Sequence, residues 1–160
     1  GPSSEASFAR LPPLPPAPAV SLADLEPVSA TVGWGGKARK NRSIQDRPLS
    51  VAGKEHPRGM GAHARSELVY DIEPRFGRFV AVVGVDDEMK EHAGMASVTF
   101  SVAADGKVLA ESPVLRVGDA WHFDVALPPG SRRLFLVAGD AGDGINADHA
   151  DWASAGFVLR

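Results

Sequence analysis

Thirteen residues between Asp140 and Trp152 concentrate the chain's chemistry. Asp140, Asp143, Asp148 and Asp151 supply four carboxylates, Asn146 an amide, His149 an imidazole and Trp152 an indole. Clustered carboxylates commonly hold a hard cation, bond the hydroxyls of a sugar, or divide acid and base work on a glycosidic bond. A calcium ion would suit Asp140, Asp143 and Asp148, although their spacing is not that of an EF-hand loop. Zinc is poorly served, because the chain has no cysteine and its five histidines (His56, His63, His92, His122, His149) show no paired spacing. Sugar recognition needs planar groups for vicinal hydroxyls and an aromatic face for the apolar side of the ring. Asn146, Asp148, His149, Asp151, Trp34 and Trp152 provide both. Asp, Asn and Gly are also ordinary turn formers, but a turn does not need the His-Ala-Asp-Trp ending. Ser, His and Asp occur together without a Gly-x-Ser-x-Gly elbow, so no catalytic constellation is assigned.

These groups must be positioned by strands. Leu134 to Ala138 is an apolar run that delivers the acidic stretch to the edge of a sheet, where loops on a rigid scaffold carry binding groups. A second acidic triplet, Asp86-Asp87-Glu88, ends Phe79 to Val85, which is apolar on both parities like a strand buried on both faces. Leu68, Tyr70 and Ile72 alternate with Val69 and Asp71; Val98, Phe100 and Val102 alternate with serine and threonine; Trp121, Phe123, Val125 and Leu127 alternate with His122 and Asp124. Val28 to Val32, Leu49 to Ala52, Lys107 to Ala110 and Ala155 to Leu159 complete eight or nine short strands, with no amphipathic helix among them. The expected fold is all-β, an antiparallel jelly-roll β-sandwich. Trp34 lies between glycines and either plugs the end of a core or presents its face to a ligand. His63 sits alone in the small-residue run Gly59 to Ser66, as a hydrogen-bonded structural residue or as a ligand.

Composition narrows the function classes. The 160 residues make one domain with a sizeable core, at 44% hydrophobic content. A net charge of -3 with scattered Lys and Arg gives no footprint for nucleic acid, and no apolar run is long enough for membrane insertion. Residues 1–20 hold six of the thirteen prolines and are expected to form an extended linker, with the module proper at 21–160. Gly1-Pro2 has the form of a protease-cleavage scar, so the chain reads as part of something longer.

Four stretches carry a resemblance: Leu25 to Gly35, Gly59 to Tyr70, Phe79 to Glu88, and Asp140 to Gly144 with Asp148 to Ala153. Together, and in this order, they resemble the NPCBM domain, the carbohydrate-binding module of family 51. The resemblance covers roughly Val20 to Arg160. It implies a galactose-binding-like β-sandwich, binding of galactose-containing glycans, a structural calcium ion as in several members, and a parent enzyme whose catalytic domain lies in cis. Trp34, His63, Asp86, Asp87, Glu88, Asp148, His149, Asp151 and Trp152 stand at motif positions and are the expected carbohydrate-binding residues. Two positions depart from the pattern: Glu26-Pro27, where an aromatic residue often follows the acid, and Ser154, where an acid is common. The implied protein is a secreted, extracellular or periplasmic, monomeric and non-catalytic module. The competing readings are an interaction domain that has lost sugar binding, and a small lyase or hydrolase using His149 and Asp151.

Overall fold

Strand parity sets the layers. The computed structural model describes residues 10–160. In β9 (Thr99–Ala104) Phe100, Val102 and Ala104 are buried while the residues between them are partly open, and β12 (Arg133–Gly139) does the same with Leu134, Leu136 and Ala138. These pair antiparallel with β10 (Lys107–Glu111), β7 (Ser66–Asp71) and β2 (Ser29–Thr31) in the order β10-β9-β12-β7-β2. The facing sheet runs β11-β8-β13-β6-β3: β11 (Trp121–Ala126), β8 (Phe76–Val85), β13 (His149–Leu159), β6 (Gly59–His63) and β3 (Arg39–Lys40). The two-residue strand β1 (Val20–Ser21) also joins β13. All pairings are antiparallel, and the inner faces close one core, so the fold is the expected all-β sandwich.

Trp152 is at the centre of that core and is 0% exposed. Its ring meets Phe100 at 5.1 Å, Phe123 at 6.1 Å and Phe79 at 6.2 Å between centroids. The outer parity of β8 is buried by a separate layer. The hairpin β4 (Leu49–Val51) and β5 (Lys54–His56) lies over it, with Val51 against Val82 and Ala153. Gly84 permits this approach, since a Cβ there would lie 2.5 Å from Val51 Cγ1 and 2.7 Å from the Asp119 carbonyl.

Three expectations change. The proline-rich run does not stand apart from the module: the Pro12 carbonyl accepts a hydrogen bond from His122 Nδ1 at 2.8 Å, and Ala19 N–H donates to the Phe157 carbonyl at 2.9 Å. Residues 1–9 of the expected linker lie outside the described residues. The run Gly59–His63 is a strand despite its weak β-propensity, because Gly61 must pass so close to Arg42 that a Cβ would sit 2.2 Å from its carbonyl oxygen. The last strand begins at His149 rather than Ala155, so His149, Asp151 and Trp152 belong to the sheet and not to the acidic loop. Two 3-10 turns, Leu22–Asp24 and Asp87–His92, are the helical elements among the described residues.

Candidate functional site

Register brings the site together. In the β6–β13 pair, His63 stands opposite His149, so two histidines 86 residues apart become cross-strand neighbours with ring centroids 5.1 Å apart. Trp34 completes a triangle, 5.4 Å from His63 and 5.6 Å from His149. Its flanking glycines place it there. A Cβ on Gly33 would lie 2.2 Å from the Ala64 carbonyl oxygen, and Gly33 N–H donates to the His63 carbonyl at 3.2 Å. Gly35 has φ +88°, which glycine adopts without strain. Trp34 is 50% exposed, so of its two sequence readings the structure takes the presented face.

The imidazoles are held in defined tautomers. His63 Nδ1 lies 2.7 Å from the Ala64 carbonyl, which can only accept, so Nδ1 carries the proton. Burial pushes the His63 pKa below the ordinary imidazole value; the Ala64 carbonyl opposes this and His149 adds to it. His149 Nδ1 donates to Glu88 Oε2 at 2.6 Å, and Glu88 Oε1 accepts from Ser43 Oγ at 2.6 Å. Among the described residues no protein group takes either Nε2, so both remain for a ligand. The cavity they line has a volume of about 300 Å³ and is also lined by Met89, Met95 and the Ile145-Asn146-Ala147 segment.

The other expected site residues are set to different tasks. Trp152 cannot stack on a sugar, because both faces of its ring are covered in the core. Asp86 caps the 3-10 turn through Glu88 N–H at 2.9 Å and takes Ser50 N–H at 3.2 Å. Asp87 accepts from Ser50 Oγ at 2.6 Å and Gly53 N–H at 2.8 Å, so Asp86 and Asp87 clamp the hairpin to the sheet. Asp151 is fully buried beneath that hairpin, away from the cavity. Burial, then the neighbouring Asp86 and Glu88 carboxylates, push its pKa well up.

Asp148 is buried and takes Ser97 N–H at 2.8 Å, while Ser97 Oγ donates to Asp143 at 2.5 Å. Burial raises Asp148 to about 6, with Ser97 opposing and the Asp143 and Asp140 charges adding to it. Asp140 pairs with Arg65 at 2.7 Å and caps Gly142 N–H at 2.9 Å. The three carboxylates expected to hold calcium thus spend oxygens on serine, arginine and amides, and among the described residues no group of three or more acidic or imidazole side chains is arranged to hold a metal ion. The second oxygen of Asp148, Oδ2, is buried and has no protein partner among the described residues.

Asn146, His63, His149 and Trp34 are brought together as the sequence suggested. Gln45, Met89, His92, Met95, Ile145 and Ala147 also line the cavity and carried no recognisable signal. Of the two departures, Ser154 lies outside the cavity, at the β13 bulge, where its Oγ is 2.8 Å from His56 Nδ1. Glu26 is exposed and pairs with Lys40.

The comparisons agree with this geometry. The sequence model of the NPCBM/NEW2 domain family matches residues 19–158. An alpha-1,3-galactosidase B of Akkermansia muciniphila is 36% identical over 121 residues, 73% of this chain and 15% of that protein. The CBM51 of a Clostridium perfringens GH95 protein, solved with methyl-galactose, superposes with TM-score 0.79 at 32% identity, over 87% of this chain and 99% of that one. The CBM51-2 of Clostridium perfringens ZmpB, solved with GlcNAc, gives TM-score 0.80 at 34% identity, over 87% of this chain and 31% of that one. The chain spans 10–15% of the length of the curated relatives it matches. With the matched span, the shared fold and module-sized relatives inside much larger enzymes, the chain belongs to the NPCBM/NEW2 domain family, as a carbohydrate-binding module and not as a catalyst.

Proposed function

We propose that the module binds galactose-containing glycans at the Trp34–His63–His149 cavity and holds a secreted glycoside hydrolase, joined in cis, on its substrate. The observation that carries this reading is the half-exposed Trp34 face beside two imidazoles with fixed tautomers. A sugar ring lays its C–H face on the indole and directs hydroxyl protons at the two Nε2 atoms. Asn146 adds a donor and an acceptor at the rim. The likeness to a module solved with methyl-galactose and to a galactosidase supports the sugar class. The protein acts as a monomer outside the cytoplasm, extracellular or periplasmic, where such glycans are met. A shallow site with few contacts gives affinities in the micromolar to millimolar range.

Isothermal titration with methyl-galactoside tests the proposal. Saturable binding that disappears in Trp34→Ala is the expected result. Absence of heat with galactosides, from a protein that still melts cooperatively, would leave a β-sandwich used for protein contacts.

A further inference from the structure

Every one of residues 11–18 is a proline or directly precedes one. Proline has its φ fixed, and the residue before it is pushed to extended or polyproline II backbone, so the segment is stiff before it touches anything. Its burial repeats every three residues: Pro12, Pro15 and Pro18 are partly buried, while Leu11, Pro13, Leu14, Pro16 and Ala17 are exposed. Three is also the number of residues per turn of a polyproline II helix, so one ridge of such a helix faces the module.

The module is shaped to receive that ridge. Pro12, Pro13 and Leu14 share a cavity with Trp121 and His122 of β11, and the stretch from Leu14 to Ala19 shares a second with Val82 of β8 and His56 of β5. A proline nitrogen cannot donate, so such a helix is held through its carbonyls, and His122 Nδ1 donates to the Pro12 carbonyl at 2.8 Å. At the other end β13 gives up a side chain: a Cβ on Gly156 would lie 2.7 Å from Pro18 Cβ and 2.0 Å from the Val20 carbonyl oxygen. The segment lies ahead of the matched family span, residues 19–158, and is not part of the shared module.

We propose that residues 11–18 are a docked strap, a polyproline helix whose Pro12, Pro15 and Pro18 ridge is seated across the outer face of β11, β8 and β13, with His122 as its anchor and Gly156 as its landing. Because the segment is stiff beforehand, seating it costs little chain entropy. The strap makes a rigid arm of what composition alone reads as a spacer. An enzyme joined in cis ahead of it would be carried from the β11 edge at a fixed angle, instead of swinging on a tether from Val20.

The chain has no cysteine, so Leu14→Cys or Ala17→Cys, both at exposed positions, gives a single site for a nitroxide label. In the 160-residue protein the label should report the slow tumbling of the whole domain by electron paramagnetic resonance; a label as mobile as on an unfolded peptide overturns the proposal. Two double variants of equal composition then test the ridge. Pro12→Ser with Pro15→Ser strips the seated face and should free the label and lower the melting temperature by about 2–4 °C. Pro13→Ser with Pro16→Ser loosens the chain as much but spares the seated face, and should change neither reading. Equal effects of the two pairs overturn the proposal. His122→Ala repeats the test from the module side and should move the label in the same direction as the first pair; a label unchanged from the parent overturns the anchor and the strap with it.

Discussion

Two tryptophans mark two regions that use the same side chain in opposite ways. Trp152 lies within a long strand whose inner face enters the sandwich interior, where three phenylalanines surround it. Trp34 lies between glycines that press the backbone against Ala64 and Ile44, so its ring has nowhere to go but outward over His63 and His149. Neighbouring residues decide which aromatic group serves the core and which serves the ligand. A strand context buries; a glycine context displays.

The largest effect that could break this contrast is on stability. Trp152→Ala is expected to cost about 3–5 kcal/mol in denaturant unfolding, a large part of the total for a domain of this size. Trp34→Ala is expected to cost about 1 kcal/mol or less and to weaken sugar binding about tenfold or more. Equal destabilisation by the two would end the distinction.

The next effect lies at the base of the acidic loop. Asp148 has its pKa raised from 3.8 to about 6, so the folded state holds a proton that the unfolded chain releases. Its contribution is complete below about pH 4 and is lost as pH rises through 6. Relative to the parent, Asp148→Asn should therefore gain on the order of 1–2 kcal/mol between pH 4 and 7, after discounting for solvent screening. Parallel stability curves for the two proteins would contradict this.

A smaller change tests the support behind the imidazoles. Glu88→Gln turns a charge-assisted bond to His149 into a neutral one, and sugar affinity should fall about fivefold, less than for Trp34→Ala. Last, Arg65→Ala removes the exposed partner of Asp140, and the melting temperature should move by less than about 2 °C.

Much of the fold is legible in the chain because parity is a local property. The alternation at Phe100, Val102 and Ala104, and the two-sided apolar run of β8, point to a sandwich before any contact is known. The site is less legible, because it depends on register. Nothing near His63 says that it faces His149, and nothing near Gln45 or Met95 says that they share a cavity with either. Carboxylates misled for a physical reason: Asp86 and Asp87 look like ligand groups, yet a capped turn and a hairpin also need acceptors, and these two supply them, while Asp151 is buried in the sheet. Gly59–His63 was hidden as a strand because tight backbone approach removes the bulky residues by which strands are usually recognised.

Strand β13 has an evolutionary corollary. His149 and Trp152 are three residues apart, an odd separation, and so point to opposite faces of the same ribbon. Inserting or deleting one residue ahead of Trp152 would exchange binding surface and interior in a single event, and selection would see both losses together. The segment Ile145–Ala147 hangs outside that ribbon and is bound by no such parity. Divergence in ligand preference among descendants of this domain, or in a library built on it, is thus channelled into the acidic loop, while the strand that carries the histidine stays fixed in length.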